Sequence, residues 1–294
     1  ASVSIVIGGT MMHTQNTMPP DLQDYIYYLQ SEERSPGTVE NYLRHVRAFA
    51  AWLGDRPLSR DAVQAWKQQL VISRYEPATV NNKLVALNRF LSFLHQDPLR
   101  VKLLRVQHQL FRDDSRELSR AEYERLLNAA RTTGKERLAL VMETLCASGI
   151  RVSELRYVTV EAARRGRAEI SLKGKIRVIL LPRPLCKKLT HFAAKNKTVS
   201  GEIFLTRNGH SLSRKQIWAE MKSLARLAHV AASKVFPHNL RHLFARVYYK
   251  ATRDVAQLAD VLGHSSIETT RIYLIATGAE HMRNLENLQL VQRE

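Results

Sequence analysis

The sequence contains very little cysteine and no long apolar run. Its 294 residues include only Cys146 and Cys186, which are too few for a disulfide-bonded scaffold and are typical of a reducing compartment. No stretch approaches the roughly 18 consecutive apolar residues of a membrane-spanning helix, and the apolar opening ASVSIVIGGT lacks the basic segment of a secretory signal. The sequence therefore predicts a cytoplasmic protein with no membrane partner.

Acidic residues are scarce in the second part of the chain. Residues 101–294 contain 35 lysines and arginines against 18 acidic residues, whereas residues 1–100 contain 10 against 9. The formal net charge of +18 therefore comes almost entirely from residues 101–294. Such an excess favours a polyanion, of which nucleic acid is the commonest large example. Charge alone does not distinguish DNA from RNA, or specific binding from general adhesion.

Residues 20–97 are predicted to form a small domain of four helices. Ser35 and Pro36 supply the N-cap and first residue of one helix, Gly54 ends it, and Ser59 begins the next. Apolar residues at helical spacing form two stripes, Val39, Tyr42, Val46, Phe49 and Leu53 in one, and Val80, Leu84, Leu87, Leu91 and Leu94 in the other. The polar faces of these helices carry the basic side chains Arg44, Arg47, Lys83 and Arg89.

The rest of the chain is predicted to form a linker and a second domain. A proline at position 98 breaks the last helix, and residues 98–117 show neither clean periodicity nor caps, which indicates a linker. Residues 118–294 return to helical patterns and end in a C-terminal tail from about residue 276. Residues 1–19 precede the first helix and are expected to be a flexible extension.

One stretch of the second domain has the alternation of a β-hairpin. In RAEISLKGKIRVILLP the turn 173–175 separates two strands. Their apolar positions are Ala168, Ile170 and Leu172 before the turn, and Ile176, Val178 and Leu180 after it. The predicted fold class is therefore mainly α with a small β-hairpin or sheet, in two domains.

Six side chains of the second domain can together act on a phosphodiester. Two guanidiniums can grip the non-bridging oxygens of one phosphate and neutralise the charge of a pentacoordinate transition state. Imidazoles can donate a hydrogen bond or take a proton, a lysine can protonate the leaving oxygen, and a tyrosine hydroxyl can be the covalent nucleophile. Arginines then supply the positive charge, so no metal or other cofactor is expected. The six residues are Arg151, Lys173, His238, Arg241, His264 and Tyr273.

Each of these residues also has an ordinary structural explanation. Arg151 can pair with Glu154 or Glu143 on its own helix, and a hairpin lysine is usually solvated. His238 and His242 stand four residues apart and can bind zinc, but HNLRH has no glutamate at its second position and no cysteine nearby. Two rival nucleophiles follow on an apolar stripe that favours packing, namely Tyr248 and Tyr249.

Taken together, the motifs resemble the tyrosine site-specific recombinases of the phage integrase family. The resemblance covers roughly residues 20–290 and is sharpest in the last half of the chain. The segments FPHNLRHLFA and LADVLGHSSIETTRIYL are most similar to those of integrases of conjugative transposons. The matching motifs are GIRVSEL at 149–155, the hairpin lysine Lys173, HNLRH at 238–242, LGHS at 262–265 and Tyr273.

The resemblance implies a role for each residue of the set. Tyr273 attacks the scissile phosphate and forms a 3′-phosphotyrosyl link, which a 5′-hydroxyl from another strand reseals without ATP or metal. Lys173 is the general acid for the 5′-hydroxyl leaving group, with Lys175 as the competing candidate. The other residues act around the phosphate, with Arg151 and Arg241 as clamps, His264 as a hydrogen-bond donor, and His238 as general base or positioning group.

The resemblance also implies an architecture and partners. The helical domain 20–97 is then the core-binding domain, and with the catalytic domain 118–294 it forms a C-shaped clamp around double-stranded DNA. Such enzymes work on DNA as dimers to tetramers. The tail after Tyr273 either packs on a neighbouring subunit or folds back on its own domain. Residues 1–19 are too short for the arm-binding domain of several integrases, so that domain is expected to be missing or removed.

Two other functions use the same residues. A type IB topoisomerase-like enzyme would nick and reclose DNA by the same chemistry without exchanging strands. A non-catalytic DNA-binding protein would use the basic faces alone. A DNA recombinase that integrates or excises a mobile element remains the first prediction.

Overall fold

The computed structural model describes residues 5–7, 10–12, 22–105, 116–172, 175–264, 266–271, 273, 282 and 286–287. The chain divides into two compact units, Ala1–His108 and Gln109–Glu294. Most described residues are helical, and the described strands form two antiparallel pairs. The predicted class of a mainly helical protein with a small hairpin is therefore confirmed. Within the described residues, no helix is both long and apolar enough to cross a membrane.

The first unit contains helices as predicted and one strand pair that was not predicted. Strand β1 (Ile5–Ile7) pairs with β2 (Thr10–Met12) in the stretch expected to be a flexible extension. The signal for this pair is the sequence IVIGGTMM, because two glycines between apolar runs favour a tight hairpin. The helices described in this unit are α1 (Gln23–Ser31), α2 (Pro36–Leu53), α3 (Arg60–Ile72) and α4 (Pro77–Phe93).

The predicted caps of α2 and α3 are confirmed, and the predicted stripes need small corrections. The Ser35 and Ser59 hydroxyls accept the N–H groups of residues 38 and 62. In α2 the buried residue is Leu43, and Tyr42 is only half-buried, because positions 39, 43 and 46 follow the helical repeat more closely. In the second stripe Leu94 lies beyond the end of α4 and is half-buried.

Two of the basic side chains predicted on polar faces lie over aromatic rings within the unit. The Arg89 guanidinium forms an ion pair with Glu32 and lies over the ring of Tyr28. Arg44 and Arg47 are exposed, whereas Lys83 is half-buried and lies over the Tyr75 ring. Arg44 and Arg47 are therefore the members of this set most accessible to a nucleic acid.

Two asparagines of α4 hold part of the predicted linker against the first unit. The Asn88 side chain accepts the N–H of Val101 (3.0 Å) and donates to the carbonyl of Val101 (2.8 Å). Asn81 makes the same two-way pair with Leu104, at 2.8 and 3.0 Å. The two amides act as β-strand partners would, so residues 101–104 form an extended strap on α4.

The second unit is built around an almost fully buried helix. Helix α6 (Glu136–Ser148) is buried on most of its faces, and α10 (Pro237–Thr252) packs against it. The remaining elements are α5 (Arg120–Thr132), the 3₁₀ segment Val152–Tyr157, α7 (Val160–Arg165), β3 (Arg167–Leu172), β4 (Lys175–Leu180), α8 (Arg183–Lys195), α9 (Arg214–Leu224), α11 (Val255–Leu262) and α12 (Ile267–Arg271). The predicted start of α5 at Ser119, with its Glu122 capping box, and the end of α6 at Gly149 are confirmed.

The hairpin is present, but the predicted apolar face of its second strand is wrong. Val178 and Leu180 are 51% and 73% exposed, whereas Ile179 is buried. The reason is the register, in which Leu172 pairs with Lys175 and Ala168 lies opposite Ile179. A turn of two residues instead of three shifts the strand by one position and exchanges its faces. The side chain that therefore lies opposite the buried Ile170 is Arg177.

We predict that the strap on α4 can be loosened at either end separately. Replacing Asn88 with Ala removes both hydrogen bonds to Val101, which costs about 1–2 kcal/mol of local stability. Amide hydrogen exchange at Val101 should then speed up by about 5- to 30-fold, with a smaller change at Leu104. Asn81→Ala is the matched control and should show the reverse pattern. Equal acceleration at both amides in either variant would contradict two independent attachments.

Candidate active site

Arg241 is the buried centre of the candidate site. It lies in the second turn of α10 and is only 1% exposed. Its Nη1 donates to the carbonyl of Gly149, and its Nη2 donates to the carbonyl of Leu262 (2.8 Å) and to Nε2 of His264 (2.9 Å). Among the described residues no carboxylate pairs with this guanidinium, and its Nε has no acceptor. A full positive charge is therefore held in the interior by neutral groups.

One of these neutral groups is the end of α6. The helix stops at Gly149, which has a left-handed φ of 64°. A Cβ atom at this position would lie 2.4 Å from the Phe244 ring, so glycine is required by space as well as by conformation. Arg151 follows two residues later, directly before the 3₁₀ segment. The Gly149 carbonyl thus attaches Arg241 next to Arg151.

The other neutral group is the end of α11. The N–H groups of Gly263 and His264 bond back to the carbonyls of Asp260 and Ala259 (2.9 and 3.0 Å), which is a Schellman cap. This cap leaves the last two helix carbonyls without partners, and such carbonyls form the negative end of the helix dipole. Arginines supply the missing donors, Arg241 to Leu262 and Arg177 to Val261 (2.6 Å).

A single buried carboxylate serves two arginines. Glu154 is 2% exposed and accepts Nη1 of Arg151 at 2.9 Å and Nη1 of Arg177 at 3.0 and 3.1 Å. It also accepts the backbone N–H of Arg151 at 2.7 Å. The structural explanation of Arg151, an ion pair with Glu154, is therefore correct as far as it goes. The Arg151 side chain nevertheless stays 43% exposed and keeps donors available to a ligand.

His264 is fixed from both sides of its ring. Nε2 must be the acceptor toward Arg241, because a guanidinium only donates. Nδ1 therefore carries the proton and donates to the hydroxyl of the buried Thr270 (2.8 Å). Burial, with the nearby charges of Arg241 and Arg151, lowers the pKa of His264 to about 4. The imidazole is consequently neutral at pH 7.

Tyr273 packs directly beside this arrangement. Tyr273 is 3% exposed, and its ring stacks on the ring of His264 with centroids 5.6 Å apart. The edges of His242 and His238 approach it at 4.5 and 6.1 Å between centroids. The side chain also interacts with the Arg241 guanidinium. The tyrosine therefore lies in the site of its own chain, whereas the tail after it is largely outside the described residues.

A cleft of about 520 Å³ opens beside the buried arginine. Arg151, His238 and Arg241 line it together with Arg214 and Trp218 of α9. Loss of hydration and the surrounding guanidiniums lower the pKa of His238, so this imidazole too favours its neutral form. A neutral imidazole can accept a proton at physiological pH.

The structure brings five of the six predicted residues together and does not describe the sixth. Arg151, His238, Arg241, His264 and Tyr273 form one connected group. Lys173 lies outside the described residues, and of Lys175 only its place in β4 is described. The lysine assignment therefore stays a prediction.

The alternatives drawn from the sequence fit this geometry less well. The rings of His238 and His242 lie 4.7 Å apart, but no group of three or more metal-ligating side chains occurs among the described residues. The Tyr248 hydroxyl donates to Gln257, and Tyr249 lies under the guanidinium of Arg253. These tyrosines pack beside Phe244 and are not among the residues that line the cleft.

Sequence reasoning did not identify Arg177 or Thr270 and treated Glu154 only as a partner of Arg151. The signal for Arg177 was present in the strand alternation, but the assumed three-residue turn assigned it to the solvent face. Nothing in the spacing pointed to Thr270. The arginine cluster consists of the guanidiniums of Arg151, Arg177 and Arg241 together with the Glu154 carboxylate. Its net charge is therefore +2. Such a site binds and stabilises an oxyanion.

Comparison with known proteins gives matches along most of the chain. A sequence profile described as "Phage integrase family" matches residues 116–279, and one described as "Phage integrase, N-terminal SAM-like domain" matches residues 22–97. The tyrosine recombinase XerA of Thermococcus kodakarensis is 28% identical over 282 residues, which cover 92% of this chain and 96% of that protein.

Two solved structures share the fold at low sequence identity. The Tn1549 transposon integrase in complex with transposon right end DNA has a TM-score of 0.67 and 17% identity, covering 91% of this chain and 99% of that chain. A lambda integrase tetramer bound to a Holliday junction has a TM-score of 0.67 and 19% identity, covering 86% of this chain and 75% of that chain. The arrangement of a helical unit before a mixed unit is thus shared with both.

The lowered pKa of His264 predicts an acid-dependent loss of stability. Because the pKa is about 4 in the folded chain and about 6.5 when unfolded, the unfolded chain binds more protons between these values. The free energy of unfolding should therefore fall as the pH drops from 6.5 to 4. Urea unfolding across this range should show a shallower fall for His264→Gln than for the wild type. Identical pH slopes would contradict a neutral, buried His264.

Proposed function

The chain belongs to the phage integrase family of tyrosine recombinases, and we propose that it cuts and rejoins DNA with Tyr273 as nucleophile and the arginine cluster as phosphate clamp. The protein is a site-specific recombinase. What remains to be assigned is the role of each residue. The observation that carries the assignment is Arg241, a buried guanidinium without a carboxylate partner among the described residues, in contact with both His264 and Tyr273.

The phosphate fits the open side of the cluster. Arg151 and Arg241 both line the cleft, and the net charge of +2 matches the charge that builds on a pentacoordinate phosphorus. A phosphate oxygen can take the unpartnered Nε of Arg241 and the exposed donors of Arg151. The arginines thus stabilise the transition state more than the ground state, in which less charge has to be neutralised.

The chemical step exchanges one phosphodiester for another. The Tyr273 oxygen attacks phosphorus as its proton leaves, and His238 can accept that proton because its neutral form is favoured. The bond to the 5′-oxygen breaks, and the product is a 3′-phosphotyrosyl link. Lys173 gives a proton to the departing 5′-oxygen. A 5′-hydroxyl of another strand then attacks the same phosphorus and releases Tyr273.

In the free protein, the His264 imidazole does not have the protonation that a hydrogen-bond donor to phosphate needs. In the free protein its Nε2 accepts from Arg241, and its proton resides on Nδ1. A phosphate that draws Arg241 donors to itself frees Nε2, and the added negative charge favours its protonation. His264 therefore becomes a phosphate donor only when the phosphate is bound.

The partner of this site is double-stranded DNA, and the working unit is an oligomer. The basic excess of residues 101–294 favours phosphate contacts, so binding should weaken strongly with salt. We assign residues 20–97 to a core-binding domain, residues 118–294 to the catalytic domain, and 98–117 to the linker. The structural likeness to a lambda integrase tetramer on a Holliday junction supports assembly on DNA, with the tail as candidate contact between subunits.

A finer placement follows from the motif wording. We place the protein with the integrases of conjugative transposons, supported by FPHNLRHLFA and LADVLGHSSIETTRIYL and by the shared fold of the Tn1549 transposon integrase.

Cys146 and Cys186 are both free, which suits the reducing cytoplasm of a bacterial cell.

We predict that a nicked suicide substrate traps a covalent adduct that depends on Tyr273. Such a DNA loses its short 5′-hydroxyl fragment after cleavage, so resealing is prevented. The wild type should form an adduct that resists denaturant, and Tyr273→Phe should form none while binding DNA normally. Tyr248→Phe and Tyr249→Phe are the matched controls and should keep the adduct. An adduct in Tyr273→Phe would refute the nucleophile, and none in the wild type would refute the proposed chemistry.

A second prediction concerns the general acid. A 5′-bridging sulfur leaves as a thiolate without protonation, because a thiol is far more acidic than an alcohol. Lys173→Ala should therefore cleave normal DNA poorly and the thiol substrate at nearly the wild-type rate. Lys175→Ala should behave like the wild type on both. Rescue of Lys175→Ala instead would transfer the role to Lys175.

A further inference from the structure

We propose that Arg177 is a positioning residue that holds Arg151 and the His264 loop in the geometry needed for cleavage. The inference rests on the proposed function, because it concerns the same phosphate site. Arg177 is largely buried, with 14% of its side chain exposed, and it is not among the residues that line the cleft. Its effect on the reaction must therefore pass through its neighbours.

The first neighbour is Glu154, the carboxylate that orients Arg151. The Arg177 guanidinium contacts both oxygens of Glu154, while the Arg151 guanidinium contacts one of them. With Arg177 removed, the carboxylate would keep a single guanidinium partner. Arg151 would then be drawn toward a full ion pair and away from the cleft, because its own charge would have to neutralise the buried carboxylate. Arg177 thus leaves Arg151 free for a phosphate.

The second neighbour is the loop that carries His264. Arg177 donates to the Val261 carbonyl at 2.6 Å, one residue before the Leu262 carbonyl that Arg241 holds. Gly263 lies against the same side chain, since a Cβ there would approach the Arg177 Cδ to 2.4 Å. The Arg177 side chain therefore fixes the loop at Val261 and Gly263. The direction of the His264 ring follows from this loop.

The third connection is the hairpin itself. Arg177 lies in β4 as the register partner of Ile170 in β3, and Lys173 precedes it by four residues in the sequence. Arg177 thus attaches the hairpin that carries the predicted general acid to both other parts of the site. Only arginine fits this position, because three contacts in different directions need its planar fork.

The test compares Arg177→Ala and Arg177→Lys with a matched arginine elsewhere. Arg137 also joins one carboxylate, Glu220 at 3.1 Å, and one backbone carbonyl, Leu205 at 2.8 Å, and it does not line the cleft. The measured quantities are DNA affinity, melting temperature and the single-turnover rate of adduct formation at saturating suicide substrate. Arg177→Ala should lower that rate by about 10- to 100-fold, with Arg177→Lys also reduced, and both should bind DNA like the wild type.

Two further readouts separate positioning from general stability. A methylphosphonate at the scissile position carries no charged oxygen and needs the clamp less, so the deficit of Arg177→Ala should shrink on it. The double variant Glu154→Gln with Arg177→Ala should be no slower than the worse single variant, because both act through Arg151. Arg137→Ala should show no loss of rate on either substrate.

The outcomes distinguish this inference from the proposed function. An unreactive wild type would refute the function itself. A reactive wild type, with Arg177→Ala equal to Arg137→Ala in rate, would refute the positioning role. Equal deficits on phosphate and methylphosphonate, or strictly additive effects with Glu154→Gln, would also refute it. Should Arg177→Ala fail to fold, the same comparisons with Arg177→Lys decide the matter.

Discussion

The second unit depends on how one buried guanidinium is stabilised with no carboxylate partner among the residues that the structure describes. Arg241 meets carbonyls at the ends of two helices, where the helix dipoles place partial negative charge. Carbonyls can hold a cation in the interior but cannot cancel its charge as a carboxylate would. The site therefore keeps its attraction for an anion. The same contacts fix the chain next to Arg151 and His264, so the charge proposed to attract the phosphate also assembles the residues around it.

Few acceptors serve the arginines of the site, and two of these acceptor groups are shared. Glu154 is divided between Arg151 and Arg177, and the last carbonyls of α11 are divided between Arg177 and Arg241. Arg177 thus shares a carboxylate with Arg151 and a helix end with Arg241. His264 remains neutral beside them, because its ring is buried and an imidazolium would add a fourth positive charge. The result is a site whose net charge is low enough to fold and high enough to bind a phosphate.

Caps and periodicity made most of the fold predictable. Ser35, Ser59 and Ser119 each begin a helix by bonding the first turn, a local effect that the sequence displays directly. The face of β4 was predicted wrongly because register depends on turn length, which the letters LKGKI do not determine. The members of the site came from motif resemblance, and their connections did not. Glu154 and Arg177 meet across 23 residues, and Arg241 reaches Gly149 across 92. Such contacts exist only in the folded chain.

Because the site is assembled from distant parts of the chain, its proposed cleavage activity depends on complete folding. The proposed nucleophile, Tyr273, is present in every chain as soon as it is synthesised, but the proposed phosphate clamp requires the ends of α6 and α11 and the hairpin to meet. A nascent or misfolded chain has the tyrosine without this arrangement. Under the proposed mechanism, strand cleavage therefore requires the fully folded molecule.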